Sequence, residues 1–513
     1  MDTSVLIIGA GPVGLTMAHK LTAYGAEVRI IDKNQGPTQL SKALVIWQRT
    51  LEVLDSTLNS QRFLEHSQAT ALHGMLFRTP TETIGQVDLK GSESAQPTGL
   101  FLPQSATEEI LVEELKRQGI EVERGKELIS FEQHEDHVHS TIESASGGQE
   151  SITSAWIIGT DGAHSKVRHG LNLPFEGNTI ERRWLLADIS VAEAQNPHFM
   201  QAYLSDEGIV GFFPIGPKRW RVIVDGGDSE RKGDPTQEEI QAIVDQRAGD
   251  QWKIVESFWL SEFVINERLV PQYRVNRAFL AGDAAHVHSP AGGQGMNTGI
   301  QDATNLAWKL ALVQNAGGSE KLLESYHEER HLIGQRVVAE TSQMIHLAMV
   351  HHPLVRRLRE IAMRHITRTK WFSKIMKPKV SEIDLSYRAQ SLAQRSPKRS
   401  SALHAGDRLP QLVEGGSFIY QQLRHPGATL LSVGVDEAEL PQALGTGPSA
   451  LPLQHIRLSP GGELAAQLGI QSGGVAWIRP DAYVGAIATR SENLRNLLKE
   501  LSLDSKSVMP SMA

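Results

Sequence analysis

Apolar and polar positions alternate in blocks along the amino-terminal part of the chain. The run Val5-Leu6-Ile7-Ile8 is apolar throughout, which is typical of a parallel strand buried on both faces. A glycine-rich turn follows, then a stretch with helical character, then a second apolar run, Val28–Asp32. The order strand, turn, helix, strand predicts a βαβ unit with two parallel strands.

Short elements continue through the rest of the first 180 residues. Gln48–Leu58 and the amphipathic stretch Thr107–Gln118 are predicted helices, and the second ends at Gly119. We therefore expect a first domain over residues 1–180. Its further strands are predicted at Ile120–Arg124, Ile129–His134, His137–Glu143 and Ala155–Thr160.

The next stretch, residues 181–272, is rich in aromatic side chains and in strand-like runs. Their pattern predicts an inserted domain built on a mixed sheet with one aromatic face. Most of these aromatic residues are expected simply to fill a core. The runs are Leu185–Val191, Ile209–Pro214, Trp220–Asp225 and Trp259–Ile265.

Beyond residue 272 the alternation of strands and helices returns. Ala278–Asp283 is a predicted strand ending in an acid, and Pro290–Gly295 is a glycine loop that precedes a helix. Residues 319–376 have a largely helical pattern. We expect residues 273–395 to complete the first domain, so the fold class is α/β.

The carboxy-terminal part is predicted to be a separate small α/β domain over residues 402–500. Ser396–Ser401 has the composition of a linker before it. The expected elements are strands at Thr429–Val435, Ile456–Leu458 and Val475–Arg479 and a terminal helix at Ser491–Leu501.

Composition narrows the chemistry more than the fold. The chain has 513 residues, a net charge of −8 and no cysteine. The lack of cysteine excludes disulfides, thiolate metal sites and thiol nucleophiles, so redox chemistry would need an organic cofactor or a non-thiolate metal. No basic excess indicates nucleic acid, and no metal-ligand cluster or membrane-spanning run is evident. We expect a cytoplasmic protein without a signal peptide.

One local cluster of charge departs from this balance. Nine Lys or Arg residues fall between Arg356 and Lys379. A membrane-surface or anionic-partner patch is one interpretation. We favour a solvated helical face, because the sequence shows no sustained apolar face opposite the charges.

The amino-terminal glycine turn has the spacing of a dinucleotide site. Gly9 allows a tight turn, Gly11 lets a pyrophosphate approach the backbone, and Gly14 lets the helix pack close to the sheet. Asp32 lies 18 residues past Gly14, where an acid can hold an adenosine ribose. The pattern predicts an adenine dinucleotide and leaves open whether it is FAD or a nicotinamide cofactor.

Two further motifs point to a family. Gly159–Arg168 contains Asp161-Gly162, and Ala281–His286 is followed by Pro290-Ala291-Gly292-Gly293-Gln294-Gly295-Met296-Asn297. With the first glycine turn, these segments resemble FAD-dependent aromatic hydroxylases, the class A flavoprotein monooxygenases with the para-hydroxybenzoate hydroxylase fold. The similarity covers residues 1 to about 390 and is greatest to phenol, polyketide and rifampicin-type monooxygenases.

The resemblance implies a Rossmann-like FAD-binding domain and roles for several residues. Asp283 would bond a ribityl hydroxyl, and Gln104 would touch the ribityl or ribose part. Backbone N–H groups at Gly293, Gly295 and Met296 would stabilise negative charge on the reduced flavin. Asp161 is expected either to contact the cofactor or to cap a turn.

One position departs from the family pattern. Ser41-Lys42-Ala43 stands where the family usually has Ser-Arg-Ala, so Lys42 keeps the charge but loses the planar guanidinium. We expect weaker FAD affinity or an altered response to the nicotinamide donor. Arg49 matches the family and is expected either to compensate in part or to lie exposed on its helix.

Substrate contacts are predicted on the aromatic face and beside the second glycine loop. Pro290 is implied to lie near the site where oxygen reacts. His73, His198 and Tyr203 are unranked candidates for deprotonating a phenol. The pocket candidates are Trp47, Tyr203, Phe213 and Trp220.

The resemblance implies a monooxygenase reaction. NADH or NADPH would reduce FAD, O2 would give a flavin C4a-hydroperoxide, and one oxygen atom would pass to an aromatic substrate. A halogenase is disfavoured because its Trp-x-Trp-x-Ile motif is absent. A reductase or dehydrogenase without oxygen insertion, and a non-catalytic flavin-binding protein, remain alternatives.

The branch with which the chain shares these motifs often carries a carboxy-terminal thioredoxin-like domain. Gly406–Pro410 and Arg479–Val484 resemble the opening and closing motifs of that domain. Without cysteine it cannot exchange thiols, so packing or a homodimer contact is the expected role.

Overall fold

The computed structural model describes most of the chain. The described residues are 1–38, 42–90, 94–193, 196–216, 218–227, 233–318, 320–348, 353–367, 369–390, 392, 402–436, 438, 440–441, 443–444, 451–488 and 493. The predicted linker at 396–401 lies outside them, as does the predicted terminal helix at 491–501 apart from residue 493.

The strands and helices are numbered in chain order. The strands are β1 Thr3–Ile8, β2 Val28–Asp32, β3 Val45–Trp47, β4 Thr70–Ala71, β5 Gly74–Arg78, β6 Thr83–Asp88, β7 Gly99–Phe101, β8 Val122–Arg124, β9 Lys126–Gln133, β10 Val138–Ser144, β11 Gln149–Gly159, β12 Glu176–Val191, β13 Phe199–Ser205, β14 Gly208–Gly216, β15 Arg219–Asp225, β16 Ile254–Leu269, β17 Arg274–Val275, β18 Ala278–Leu280, β19 His286–Val287, β20 Val413–Glu414, β21 Ser417–Phe418, β22 Ala428–Val433, β23 Ala443–Leu444, β24 Leu451–Arg457, β25 Gly474–Ile478 and β26 Val484–Ala488. The helices are α1 Pro12–Ala23, α2 Gln48–Asp55, α3 Gln61–Leu64, α4 Gln104–Arg117, α5 Lys166–Gly170, α6 Gln237–Ala248, α7 Gly295–Ala316, α8 Lys321–Ala348, α9 Pro353–Ile366, α10 Lys370–Val380, α11 Ile419–Gln422 and α12 Glu463–Leu468.

Sheet 1 confirms the predicted βαβ unit. Its strand order is β17-β18-β11-β1-β2-β8, with β10 and β9 added beside β11. The central pairs β18–β11, β11–β1, β1–β2 and β2–β8 are parallel, so the carboxyl ends of these strands share one edge. Helix α1 begins where Gly11 precedes Pro12, a residue suited to the first helical turn. The edge at which β1, β2, β11 and β18 end is where an open α/β sheet binds ligands.

Sheet 2 is larger than the predicted range of 181–272. Its order is β19-β16-β12-β15-β14-β13-β5-β6. The edge pair β5–β6 comes from upstream, where the first domain was predicted, and β19 comes from downstream. β13 pairs in parallel with β5, and strands that are far apart in the sequence can pair in this way. The predicted interval therefore omits three strands of this sheet.

The two faces of sheet 2 have different neighbours. Helix α6 packs on one face and buries a cluster that includes Tyr203, Phe212, Trp220 and Trp252. The other face is turned toward sheet 1 and the loop before α7. A small sheet of β3, β7 and β4 lies at this junction and contributes Trp47 and Phe101 to a neighbouring apolar cluster.

The carboxy-terminal unit is a mixed sheet of order β23-β24-β22-β25-β26. β22 and β24 are parallel, whereas β25 and β26 run antiparallel to their neighbours. Buried ion pairs join this unit to the helices of the first domain: Arg408 pairs with Glu52, and Arg479 pairs with Glu329. Among the described helices, none is long and apolar enough to cross a membrane.

Candidate active site

A cleft of about 510 Å³ lies between the parallel edge of sheet 1 and the inner face of sheet 2. It runs from the end of β2 to the glycine loop before α7. The cleft brings together most of the residues predicted from the sequence. These are Gly9, Gly11, Asp32, Lys42, Gln104, Asp161, Phe213, Asp283, Pro290, Gly293, Gly295 and Met296.

The three glycines of the first turn have separate roles. Gly9 has φ +101°, and a Cβ there would lie 2.6 Å from the carbonyl oxygen of Thr160. A Cβ at Gly14 would overlap the Gly9 carbonyl oxygen, so Gly14 serves packing and does not line the cleft. At Gly11 no atom lies within 4 Å of the Cβ position. The open side of Gly11, at the start of α1, is therefore the place where a phosphate can reach backbone N–H groups.

Asp32 is positioned by the backbone on both sides of the turn. Its carboxylate accepts hydrogen bonds from the N–H of Ala10 at 2.7 Å and of Asn34 at 2.8 Å. Arg124 lies 3.7 Å away and offsets the charge. The carboxylate is thus held at the end of β2, where an adenosine ribose would bind.

Gln104 opens helix α4 beside this end of the cleft. Its Oε1 accepts from the N–H of Ala43 at 3.1 Å, and its Nε2 donates to Glu108 at 2.8 Å. Burial raises the pKa of Glu108. Gln104 therefore ties the segment after Lys42 to α4, and its contact with a cofactor stays a prediction.

Asp161 does cap a helix, as one of its two predicted roles requires. One carboxylate oxygen accepts from the N–H of Lys166 at 2.6 Å, at the start of α5. Its other oxygen, Oδ1, is buried without a hydrogen-bond partner among the described residues. Burial also raises the pKa of Asp161. A donor from a bound ligand would satisfy this oxygen.

Asp283 follows β18 in a short turn and faces the cleft. The surrounding protein raises the pKa of its carboxyl group. The turn is held from behind by Asp302, which accepts from the N–H of Gly282 at 3.0 Å and contacts His286 at 2.8 Å. Arg330 donates to the other oxygen of Asp302 at 2.7 Å. Neither Asp302 nor Arg330 was predicted from the sequence. The available signal for Asp302 is an acid two turns into the helix that follows the motif.

The second glycine loop leads into the amino terminus of α7. Gly292 and Gly293 have φ values of +87° and +62°, which favour glycine. Asn297 clamps the loop, because its Nδ2 donates to Gly293 O and Val45 O, both at 2.9 Å. Its Oδ1 accepts from the N–H of Trp47 at 2.8 Å. The clamp aims the positive end of the 22-residue helix α7 into the cleft.

Lys42 lines the cleft, whereas Arg49 lies outside it. The carbonyl oxygen of Lys42 accepts from Arg221 at 2.9 Å. Arg49 is fully buried and points away, toward Tyr420 at 3.0 Å and the Asp481 carbonyl oxygen at 2.6 Å. Both expectations for Arg49 are wrong, because it joins α2 to the carboxy-terminal unit and neither lines the cleft nor lies exposed.

Of the four aromatic pocket candidates, only Phe213 lines the cleft. The prediction for Tyr203 and Trp220 is wrong: both lie on the opposite face of sheet 2, under α6. The Tyr203 hydroxyl accepts from Trp252 at 3.0 Å. Trp47 is buried behind the loop and donates its indole N–H to Gly292 O at 3.0 Å. It supports the cleft from outside and does not line it.

The inner face of sheet 2 offers a different set of side chains. Met200, Phe213, Arg221 and Ile223 face the cleft there. Arg221 is buried and makes a two-pronged ion pair with Asp188 at 2.7 and 2.8 Å. Arg221 was not predicted from the sequence, although its place next to Trp220 on a strand puts it on the opposite face.

His288 is placed to accept a hydrogen bond from a ligand in the cleft, whereas neither His73 nor His198 lines it. His73 and His198 stack on each other at 4.2 Å and do not line the cleft, so the prediction that either serves as its base is wrong. His288 does line it, and burial lowers its pKa to about 4. Its Nδ1 lies 2.8 Å from Ser289 O, and its buried Nε2 has no hydrogen-bond partner within the part of the chain that the structure describes. In the described part of the chain, no three His, Asp or Glu side chains converge as a metal site requires.

These features fit FAD. Gly11 leaves space at a helix amino terminus for a pyrophosphate, and Asp32 stands ready at the adenosine end. Asp161 Oδ1 and His288 Nε2 are buried acceptor atoms, and hydrogen-bond donors of the bound cofactor would satisfy them. The amino terminus of α7 supplies positive potential at the end of the cleft that is farthest from Asp32.

Comparison with known proteins agrees with the geometry. Residues 2–341 match the model of the FAD binding domain family. The 6-methylpretetramide 4-monooxygenase of Streptomyces rimosus is 31% identical over 95% of this chain and 91% of its own length. A flavin-dependent monooxygenase of Mycobacteroides abscessus is 31% identical over 97% of this chain and 99% of its own length.

A solved structure shows the same architecture. The OxyS anhydrotetracycline hydroxylase from Streptomyces rimosus superposes with a TM-score of 0.78 at 27% identity, covering 98% of this chain and 99% of that one. The match spans both sheets and the carboxy-terminal unit. The chain therefore belongs to the FAD-dependent aromatic hydroxylases, a family of flavin monooxygenases.

Proposed function

We propose that this monooxygenase hydroxylates a phenolic or polyketide-like aromatic substrate with NADH or NADPH as the electron donor. One oxygen atom of O2 enters the ring as a hydroxyl group and the other leaves as water. The donor supplies a hydride, and a proton comes from solvent. The observation that carries this proposal is the apolar group Met200, Phe213 and Ile223, which lines the same cleft as Pro290.

The chain's own residues would hold the cofactor along the cleft. The amino terminus of α1 at Gly11 would bind the pyrophosphate, Asp32 the adenosine ribose and Asp283 the ribityl chain. Bound FAD would supply the redox-active ring that accepts the hydride and activates O2. Backbone N–H groups from Gly295 and Met296 would stabilise negative charge at that ring.

The inner face of sheet 2 would position the substrate. Phe213 and Met200 offer apolar contact to an aromatic ring and exclude water from it. Arg221 pairs with Asp188 and with the Lys42 carbonyl oxygen, so it stiffens the boundary between the cofactor and substrate parts of the cleft. His288 is neutral at pH 7 and presents an acceptor atom, which suits a hydroxyl or N–H group of a ligand.

The test is substrate-stimulated oxidation of NADH or NADPH under 18O2, with a panel of aromatic compounds. The proposal requires a product that carries one labelled oxygen atom. Donor oxidation with hydrogen peroxide and no labelled product would identify a reductase. Failure of the purified protein to bind FAD would leave only a non-catalytic protein.

A matched pair of variants places the substrate. Phe213→Ala should raise the KM for the aromatic substrate about tenfold, because a phenyl ring buried against a ligand contributes about 1.5 kcal/mol. Phe258→Ala removes an exposed ring from the same sheet and should leave KM unchanged. Equal effects of both changes would move the substrate away from Phe213.

We also propose that the carboxy-terminal unit is a thioredoxin-like domain that acts through packing. Its parallel pair β22–β24 continued by the antiparallel pair β25–β26 supports this, and the lack of cysteine excludes thiol exchange. The limits 402–500 of this domain, a cytoplasmic location and a homodimer are part of the same proposal. Sedimentation velocity tests the last of these.

A further inference from the structure

Helices α9 and α10 present apolar side chains to solvent. Leu358 and Trp371 are each 65% exposed, which is unusual for side chains of this size. The exposed set recurs at helical spacing along the two helices, and we call it the α9–α10 face. Its members are Val355, Leu358, Ile361, Ile366, Trp371 and Ile375.

Helix α9 is joined to the region of β6 by polar contacts. Among the described side chains of α9, Arg364 donates to Glu82 at 3.2 Å. Just past the helix end, the buried Thr367 accepts from the N–H of Gln86 at 3.3 Å. The exposed apolar positions 355, 358 and 366 lie away from Arg364 around the helix, whereas Ile361 is three residues from Arg364 and borders it. The described part of α9 thus has an exposed apolar side, which differs from the solvated helical face favoured from the sequence.

Helix α10 also has exposed apolar side chains. Its Phe372, Met376 and Val380 pack inward against the cluster that contains Trp47 and Phe213. Trp371 and Ile375, one turn apart, point to solvent instead. The outward face therefore lies on the other side of α10 from the substrate end of the cleft.

The charge of this segment is opposite to that of the chain. Residues 353–380 contain nine Lys or Arg residues and a single acid, Glu360, which gives +8 in a chain of net charge −8. Lys374 and Lys379 are exposed beside the apolar surface. A partner must therefore be negatively charged and must also accept protruding Leu, Ile and Trp side chains.

We infer that the α9–α10 face docks on an anionic lipid surface. Amphipathic helices with Lys or Arg beside Trp and Leu bind in the plane of a membrane interface. Anionic headgroups match the +8 segment, and the acyl region accepts the apolar side chains. A second copy of this chain is disfavoured, because it would bring another +8 segment against the first.

The test is flotation of the FAD-loaded full chain with vesicles. Vesicles of phosphatidylcholine mixed equally with phosphatidylglycerol should bind at least tenfold more protein than phosphatidylcholine alone. Binding should fall as ionic strength rises from about 0.1 M to about 1 M, where the Debye length shrinks from about 10 Å to about 3 Å. Equal binding to both vesicles, or none to either, would overturn the inference.

Variants separate the apolar and charged contributions. Leu358→Asp should lower vesicle binding about tenfold or more, and the double change Lys374→Glu with Lys379→Glu at least tenfold. The matched controls are Val255→Asp, which is exposed on sheet 2, and Lys116→Glu on α4. If the controls lose as much binding, the face is not the docking site.

Two readouts guard against misinterpretation. Bound flavin and substrate-stimulated NADPH oxidation in solution should not change in these variants, since none of the residues lines the cleft. If the wild type is instead a dimer that Leu358→Asp converts to a monomer without vesicle binding in either form, a second copy covers the face and the inference is overturned. The result is independent of the substrate proposed above.

Discussion

Asn297 joins three backbone segments with one side chain, at the point where the glycine loop meets α7. Its amide group bonds Gly293, Val45 and Trp47, each within 2.9 Å. A side chain that both donates and accepts is needed here, which excludes an apolar or an ionised replacement. The direction of α7 toward the cleft therefore depends on this single residue.

Asn297→Ala should cost about 1–3 kcal/mol of stability, because it leaves buried backbone groups without partners. It should also weaken FAD binding about tenfold, measured by quenching of flavin fluorescence. Asn315→Ala, on the same helix, removes only a long bond to Tyr24 O at 3.5 Å and should change neither quantity. Unchanged FAD affinity in Asn297→Ala would show that the clamp does not shape the site.

Glu382 gives stability a dependence on pH. Burial between α10 and α7 raises its pKa from 4.5 to about 8, against the opposing charge of Arg330. Between these values the folded protein holds a proton that the unfolded chain releases. Stability should therefore fall as pH rises from about 4.5 to about 8, by up to about 1.4 kcal/mol per pH unit.

Glu382→Gln should abolish this slope, because an amide mimics the protonated carboxyl group. The variant should match the wild type near pH 5 and exceed its stability at pH 8, measured by urea unfolding. Glu193→Gln, at an exposed site, serves as the control. Parallel pH profiles for wild type and Glu382→Gln would contradict the assignment.

At the scale of the element, Arg221 links two strands of sheet 2 to the segment after β2. Its guanidinium pairs with Asp188 on β12 and bonds the Lys42 carbonyl oxygen. Lys42 stands where the resemblance implies an arginine, and the Arg221 guanidinium donates to the Lys42 carbonyl oxygen at 2.9 Å. The guanidinium nearest this carbonyl thus comes from sheet 2.

Arg221→Met should destabilise the protein by about 3–5 kcal/mol, because it leaves Asp188 buried without its partner. Thermal and urea unfolding would measure the loss. Arg219→Met, two residues away on β15, removes an exposed side chain stacked on Phe258 and should cost about 1 kcal/mol or less. Similar losses in both variants would count against a special role for Arg221.

The same strands show how far the sequence could be interpreted. The glycine turns, the two acids at strand ends and the strands themselves were predictable, because each depends on neighbours in sequence. The choice between Tyr203 and Phe213 was not, because successive side chains on a strand alternate between faces. The sequence does not indicate that α6 covers the face of Tyr203 and Trp220. A prediction from aromatic content alone therefore included residues from both faces of the sheet.

At the scale of the whole molecule, buried charges fasten the carboxy-terminal unit to the first domain. Arg479 donates to Glu329 at 2.7 and 2.9 Å, and Lys309 donates to the same carboxylate at 2.8 Å. These opposite charges lower the pKa of Glu329 to about 2 despite its burial. The partners are 150 residues apart, which is why motif spacing could not reveal them.

Arg479→Met should cost about 3–5 kcal/mol, since it leaves buried carboxylates facing each other. If the unit and the first domain unfold together, calorimetry should still show one transition at lower temperature. Arg388→Met breaks an ion pair whose arginine is half exposed, and should cost about 1 kcal/mol or less. A separate early transition in Arg479→Met would mean that the unit folds independently.

Sheet 2 has a consequence for transferring specificity between relatives. It collects strands from residues 74–88, 176–269 and 286–287, so the chain enters it three times. If residues 181–272 were exchanged with another hydroxylase, the transferred segment would lack its β5–β6 edge. Its β13 would have to pair with the β5 of the recipient protein. Chimeras that exchange residues 74–88 together with 176–269 preserve the parallel β13–β5 pairing and transfer Met200, Phe213, Arg221 and Ile223, which face the cleft, in the sheet to which they belong.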